Sequence, residues 1–254
     1  MTGKKKILIY LAIMFFIIFS CSKGKEESGV NSTPVKNELS NIEEKPSFLL
    51  ITIDTWRSDY IGVSKSGKVE TPNLDRLAKE GIYEEKMETP CPLTTPAHAT
   101  IMTGLLPLKH GVLDCVGYSL PSAIPTLASL FKNKGYVTAA FISSETLRSR
   151  YGLNNGYDIY DDSGLEGKAL NLWDSVSKDG KETTLSVLKY INNKEDSNAQ
   201  FIWVHYYDLH IPYRVREGFS EKYPRDPYAA QVAFVDQEIS KLINRLEIDK
   251  RKWR

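Results

Sequence analysis

Short apolar runs alternate with amphipathic segments along the chain from residue 47 onward. Residues 48–53 form an apolar, β-branched run, which is typical of a central strand covered on both faces of a parallel sheet. Further strands are predicted at residues 137–142 and 201–204. Helices are predicted to begin at Thr71-Pro72-Asn73, after Pro125, near Glu182, and in the segment that carries Val232, Val235, Ile239, Leu242 and Leu246. This alternation predicts an α/β fold with a mostly parallel sheet.

The amino terminus has a different pattern. Lysines precede an unbroken apolar run over residues 7–19, which is shorter than the roughly 20 residues that span a bilayer and predicts a secretory signal. The run ends in Phe19-Ser20-Cys21, which resembles a bacterial lipobox. That resemblance implies that Cys21 is acylated and anchors an exported lipoprotein to the membrane of the bacterial cell envelope. A plain signal anchor, in which Cys21 has no role, is the alternative.

The chain is therefore expected to have three parts. Residues 1–20 are interpreted as a lipoprotein signal peptide. Residues 21–46 are rich in Lys, Glu, Ser and Asn, and they are predicted to be a flexible tether because they have too little apolar surface to bury. Residues 47–254 form the predicted globular domain.

Charge and cysteine content exclude several classes of protein. Lys plus Arg total 33 against 32 Asp plus Glu, so the formal charge of +1 provides no basic field for nucleic acid, and we predict no nucleic-acid partner. Three cysteines cannot form a disulfide framework, and their spacing fits no zinc motif. The sequence leaves undecided whether Cys91 and Cys115 form a disulfide.

Four ordered segments carry a family resemblance. They read LITIDTWRSD at residues 50–59, TPNLD at 71–75, TTPAHATIMTG at 94–104 and KHGV at 109–112. Together they resemble the amino-terminal half of the sulfatase family in the alkaline phosphatase superfamily. The resemblance implies an alkaline-phosphatase-like α/β/α sandwich that hydrolyses a small anionic sulfate or phosphate ester with the help of a divalent metal.

The predicted metal site begins with Asp54, at the carboxyl end of the first strand. Ligand sites in open α/β sheets form at this edge, and hard cations prefer carboxylate oxygens. The resemblance adds Thr94 and, more weakly, Asp208 as metal ligands. Ca, Mg, Zn and Mn cannot be distinguished from these residues. Thr55 stands where many sulfatases have a second aspartate.

The resemblance assigns the nucleophile to Thr94. The sulfatase motif is C-x-P-S-R, and alignment on Pro96 places Thr94 at the cysteine and His98 at the arginine, both interpreted as catalytic. A threonine there is similar to the nucleotide pyrophosphatase/phosphodiesterase branch, in which an unmodified hydroxyl attacks phosphorus. Thr94 also precedes a predicted helix whose amino terminus would face an anion. A simple N-cap is the alternative for Thr94, and Cys91 does not fit the motif.

A third catalytic candidate is His210. In Asp208-Leu209-His210-Ile211-Pro212 it resembles the sulfatase histidine that approaches the anionic group or the leaving oxygen. His205, five residues earlier, is interpreted as structural. Arg57 and Asp59 are expected to pair and brace the loop after the first strand.

Some motifs of the sulfatase family are missing from this sequence. The G-K-W-H motif of arylsulfatases is absent, and the chain stops at Arg254, before the D-H-G or D-N-G motif that supplies further metal ligands. We therefore expect the C-terminal part of the domain to be missing and the chain by itself to be a poor catalyst with weak metal affinity and low thermal stability. We also expect an apolar stripe including Leu242 and Leu246 to be exposed. The alternatives to a sulfatase-family hydrolase are a catalytically inactive sulfatase-like surface lipoprotein and a phosphodiesterase or phospho-group transferase of the same superfamily.

Overall fold

In the computed structural model, which describes residues 45–166, 176–193 and 198–248, parallel strands form one sheet. Its strands are β1 (Phe48–Ile53), β2 (Val137–Phe141), β3 (Ile159–Asp161) and β4 (Gln200–Tyr206), in the spatial order β1-β4-β2-β3. Three of them confirm the predicted strands. The short β3 was not predicted, because its three residues form no apolar run.

Helices connect and cover these strands. They are α1 (Pro72–Glu80), α2 (Thr94–Thr103), α3 (Pro107–His110), α4 (Leu127–Asn133), α5 (Gly180–Asn193), α6 (Phe219–Lys222) and α7 (Pro227–Ile248). All helices predicted from spacing are found. The short α3 and α6 lack the length over which a helical period becomes visible.

The core has two halves, one on each face of the sheet. Ile202, Val204 and Tyr206 of β4 point to one face, where they pack with buried residues of α5 and α7. Trp203, which alternates with them, points to the other face and packs with Ala99 and Met102 of α2. The fold is thus an α/β/α sandwich with a parallel sheet, as expected.

Two expectations about burial are wrong. β1 is not a central strand: its six residues are half-buried, and among the described residues only β4 pairs with it. Leu242 and Leu246 are not exposed, because this side of α7 packs against the core that α5 shares.

The predicted signal peptide, Cys21 and nearly all of the predicted tether lie outside the described residues. Within residues 45–166, 176–193 and 198–248, no helix is both long enough and apolar enough to cross a bilayer.

Candidate active site at the end of the first strand

The centre of the site is a hydrogen bond between Asp54 and Thr94. The Thr94 hydroxyl donates to Oδ2 of Asp54 over 2.9 Å. Asp54 directly follows β1, and its backbone N–H donates to the carbonyl of Tyr206 at the end of β4. Thr94 is the first residue of α2. The structure therefore brings together two residues that lie 40 positions apart in the sequence.

This contact decides the open question about Thr94 against the capping role. The N-cap of α2 is Leu93, and Thr94 already lies within the helix. Its hydroxyl reaches across to the strand, whereas a capping hydroxyl would accept from the backbone of its own helix.

The turn after Asp54 is held in a strained conformation. Thr55 has a φ of 50°, in a region that β-branched residues rarely adopt. The Tyr228 hydroxyl clamps the turn, since it donates to the Thr55 carbonyl over 2.8 Å and accepts from the Arg57 N–H over 2.9 Å. Burial raises the pKa of Tyr228 to about 12. The predicted Arg57–Asp59 pair is also present, with two hydrogen bonds of 3.0 and 2.9 Å.

His98 holds the backbone of Thr94 through a hydrogen bond. Its Nδ1–H donates to the Thr94 carbonyl over 2.7 Å, and its Nε2 lies 3.1 Å from the Thr52 hydroxyl. The Thr52 oxygen also accepts from the Trp203 indole over 2.9 Å, so the Thr52 proton is directed to His98. Burial lowers the pKa of His98 and keeps the imidazole neutral. With both nitrogens satisfied inside the protein, His98 is suited to positioning Thr94 rather than to touching a substrate.

His205 of β4, which the sequence analysis interpreted as structural, lies beside Asp54. Its Nε2 lies 3.9 Å from Oδ2 of Asp54, and its side chain is fully buried. The register pairs Thr52 with His205 across β1 and β4, which puts Asp54 and His205 on the same face of the sheet. That register is the signal that could have revealed it.

The amino terminus of α2 offers fewer free N–H groups than expected. Pro96 has none, and the Thr95 N–H donates to Sγ of Cys115 over 3.5 Å. Cys91 and Cys115 are both free thiols, so the structure contains no disulfide between them. The dipole of α2 still points its positive end toward Thr94.

The structure does not bring Asp208 to this centre. Its carboxylate is buried and pairs with the Arg216 guanidinium, and it accepts from the Gly180 N–H over 3.0 Å. In the part of the chain that the structure describes, no hydrogen bond or ion pair links Asp208 to Asp54 or Thr94. Because Arg216 already compensates its charge, the geometry favours an ion-pair role over the predicted metal ligation.

His210 lies on a cavity of about 390 Å³. Its ring stacks on Tyr207 with centroids 4.5 Å apart, and its Nδ1–H donates to the Ile211 carbonyl over 2.7 Å. Lys178 and Arg214 also line this cavity. His210 is thus open to a ligand, although no contact within the described ranges joins it to Thr94.

Two side chains of this site could contribute ligands to a divalent cation. The Asp54 carboxylate and the Thr94 hydroxyl are oxygen donors of the kind that divalent metals accept. Within the described residues, no group of three or more His, Cys, Asp and Glu side chains is arranged so that it could hold a metal ion by itself. The buried Nε2 of His205 has no hydrogen-bond partner there, and it faces the same carboxylate. This donor set fits a cation.

Comparison with solved structures identifies the class of fold. A protein in the alkaline phosphatase superfamily from Vibrio parahaemolyticus superposes with a TM-score of 0.63 at 16% identity, over 83% of this chain and 53% of that chain. A phosphonate monoester hydrolase of Agrobacterium radiobacter gives a TM-score of 0.63 at 17% identity, over 80% of this chain and 59% of that chain. The fold is that of the alkaline phosphatase superfamily.

The family follows from the sequence. A family model described as Sulfatase matches residues 46–253, and the chain belongs to the sulfatase family. The chain is similar to the ulvan-active sulfatase of Formosa agariphila, with 34% identity over 109 residues, which is 41% of this chain and 21% of that protein. The aligned part thus spans about a fifth of that relative's length.

Proposed function

We propose that this chain takes part in the metal-dependent hydrolysis of a small sulfate or phosphate ester, with Thr94 as the nucleophile. The observation that carries the proposal is the 2.9 Å hydrogen bond from the Thr94 hydroxyl to Asp54. Membership of the sulfatase family supports the reaction class, and the position of Asp54 at the carboxyl end of β1 supports the location.

The contacts around Thr94 suit nucleophilic attack. Its proton is directed at the Asp54 carboxylate, so the lone pairs of Oγ1 are free for the ester. The His98 bond to the Thr94 carbonyl fixes the backbone from which Oγ1 projects. A divalent cation, when bound at Asp54, supplies positive charge against the oxyanion of the ester. Attack forms a bond from Oγ1 to sulfur or phosphorus and releases the alcohol, and water then hydrolyses the Thr94 ester.

We further propose that the alcohol part of the ester occupies the cavity beside His210. The rings of Tyr207 and Tyr213 line this cavity together with Lys178 and Arg214, which are ion-paired with Asp161 and Asp179, and this lining suits an organic group that carries polar substituents. In this proposal, the imidazole of His210 exchanges a proton with the leaving oxygen. Replacement of His210 by Ala would then slow the hydrolysis of esters with poor leaving groups more than the hydrolysis of nitrophenyl esters.

The identity of the attacked atom is tested with two substrates. The similarity to sulfatases favours attack on sulfur, for which nitrophenyl sulfate is the probe. An unmodified threonine, in place of a formylglycine precursor, favours bis(nitrophenyl) phosphate. Each substrate is incubated with excess protein and added Mg²⁺, Ca²⁺, Mn²⁺ or Zn²⁺, and nitrophenol release is followed over a single turnover because the rate is expected to be low.

The variants Thr94→Ala, Thr94→Ser and Cys91→Ala separate the nucleophiles. Loss of the hydroxyl should reduce turnover by roughly 10³-fold or more, because the covalent route is removed. Thr94→Ser keeps the hydroxyl and should retain measurable turnover, and Cys91→Ala should match the wild type. Turnover that survives in Thr94→Ala, or a wild-type chain inactive with every metal, would contradict the proposal.

We also propose that the protein is an exported lipoprotein held at the membrane through Cys21. The support is the lipobox-like sequence Phe19-Ser20-Cys21 after a lysine-led apolar run. Labelled palmitate should enter the wild-type protein in bacterial cells, and Cys21→Ala should abolish both the label and membrane retention. Soluble, unlabelled wild-type protein would contradict this assignment.

A further inference from the structure

Asp54 is anchored on its strand side but is followed by a strained turn. Its backbone N–H donates to the Tyr206 carbonyl over 2.9 Å, which fixes the end of β1. Thr55 comes next with a φ of 50°, and a β-branched residue keeps this conformation only where its surroundings over-determine it. The direction of the Asp54 carboxylate therefore depends on what holds Thr55 in place.

Tyr228, in the first turn of α7, holds this strained residue. Its hydroxyl donates to the Thr55 carbonyl over 2.8 Å and accepts from the Arg57 N–H over 2.9 Å, so one oxygen bonds to both sides of the turn. Only 8% of Tyr228 is exposed, so water competes little for these two bonds. A Phe at this position would keep the ring but would take this partner from one backbone donor and one backbone acceptor.

The ring of Tyr228 extends this contact to the cavity of about 390 Å³. It packs against the ring of Tyr213 with centroids 5.9 Å apart, and Tyr213 lines that cavity. Gln231, one helical turn further along α7, donates its amide N–H to the Arg214 carbonyl over 2.5 Å. The amino-terminal turns of α7 therefore hold the turn after β1 and one wall of the cavity together.

We propose that Tyr228 is a positioning residue that fixes the Asp54 carboxylate relative to the cavity beside His210. Its hydroxyl holds the turn that follows Asp54, and its ring ties this turn to the cavity wall at Tyr213. This inference rests on the proposed function and deepens it, because it assigns to one side chain the alignment of the Thr94 nucleophile with the bound alcohol group.

The first test is hydrogen exchange at the Arg57 amide in the purified full chain, measured by peptide mass spectrometry. Tyr228→Phe removes only the hydroxyl, so the Arg57 N–H should exchange about 10-fold faster than in the wild type, because its protection depends on that bond. The same variant should lower the single-turnover rate at saturating ester at least about 10-fold. The half-saturating ester concentration should change by less than about threefold, since the ester still binds but the nucleophile is misaligned.

The matched control is Tyr60→Phe. Tyr60 is buried to the same extent as Tyr228, and the two rings pack edge to face with centroids 4.7 Å apart. The Tyr60 hydroxyl donates to Asp226 over 2.7 Å, whereas the Tyr228 hydroxyl bonds to the turn. Tyr60→Phe should therefore leave Arg57 exchange and turnover close to those of the wild type, even where it lowers the unfolding free energy.

Tyr213→Leu tests the link to the cavity. It leaves both hydrogen bonds of Tyr228 in place and removes the ring contact, so Arg57 exchange should become about threefold faster. The half-saturating ester concentration should rise as well, because Tyr213 lines the cavity. Arg57 exchange at the wild-type rate in Tyr213→Leu would show that the turn and the cavity wall are held separately, and it would overturn this link.

The outcomes separate this inference from the proposed function. If Thr94→Ala loses turnover while Tyr228→Phe turns over like the wild type, Tyr228 does not position the site, and only the present inference fails. Unchanged Arg57 exchange in Tyr228→Phe overturns it as well. A wild type without turnover contradicts the proposed function instead, and the exchange rates still show whether Tyr228 holds the turn. Should Tyr228→Phe not fold by circular dichroism, the wild type decides, since Arg57 exchange as fast as in an unstructured peptide of the same sequence would overturn the inference.

Discussion

A buried arginine holds the segment that follows β4. The Arg216 guanidinium pairs with Asp208 and donates to Asp179 over 2.6 Å and to Gln231 over 2.8 Å. Its central carbon lies 3.7 Å from the ring centroid of Phe234. The side chains of Arg216 and Asp208 are 7% and 1% exposed, so water screens the pair very little.

Replacement of Arg216 by Met tests how much this network contributes. The change keeps apolar volume beside Phe234 but leaves the Asp208 carboxylate buried and unpaired, which typically costs about 3–5 kcal/mol. The double variant with Asp208→Asn removes the orphaned charge and should recover a large part of that loss. The single variant Arg216→Met should therefore be much less stable than the double variant.

The assay is urea unfolding at neutral pH for the single and double variants. The control is Lys222→Met, because the Lys222–Glu70 pair is 48% and 74% exposed and should be worth at most about 1 kcal/mol. A loss below about 1 kcal/mol for Arg216→Met, or no recovery on adding Asp208→Asn, would refute this reasoning.

Three further changes have definite expected outcomes. Thr52→Val should lower the unfolding free energy by about 1–3 kcal/mol, because the Trp203 indole N–H loses its acceptor; an unchanged urea midpoint would contradict this. Gly156→Ala should destabilise far more than Gly117→Ala in thermal melts, since both have positive φ but only at Gly156 would a Cβ meet backbone, at 2.2 Å; equal shifts would be the contrary result. Burial lowers the pKa of His110, so the unfolded chain binds its proton first and stability falls as pH drops below about 6.5. His110→Gln should make the fall in stability between about pH 6.5 and 5.5 shallower, and an identical pH profile would exclude this contribution.

The Asp54–Thr94 contact could be predicted because each residue lies at a recognisable boundary. Asp54 directly follows an apolar strand, and Thr94 begins the helix that contains Pro96. Parallel strands and their helices place such boundaries at one edge of a sheet. Local pattern and family motif were therefore sufficient for these two residues.

The roles of His205 and Asp208 depended on information that the local pattern does not contain. The position of His205 beside Asp54 follows from the register of β4 against β1, which packing sets between segments 153 residues apart. Asp208 is neutralised by Arg216, which arrives from a loop with no periodic signal. Burial of Leu242 and Leu246 likewise depends on how α7 packs in the core shared with α5.

The central claim is that the Thr94 hydroxyl forms a covalent ester with the transferred group. The most direct measurement is peptide mass spectrometry after the chain is mixed with nitrophenyl sulfate or bis(nitrophenyl) phosphate, a divalent metal and rapid acid quench. The account predicts that the peptide containing Thr94 gains the mass of a sulfo group from nitrophenyl sulfate or of a nitrophenyl-phosphoryl group from bis(nitrophenyl) phosphate, and that Thr94→Ala does not. Nitrophenol release with an unmodified Thr94 peptide and the group, or a formylglycine, at Cys91 would contradict it.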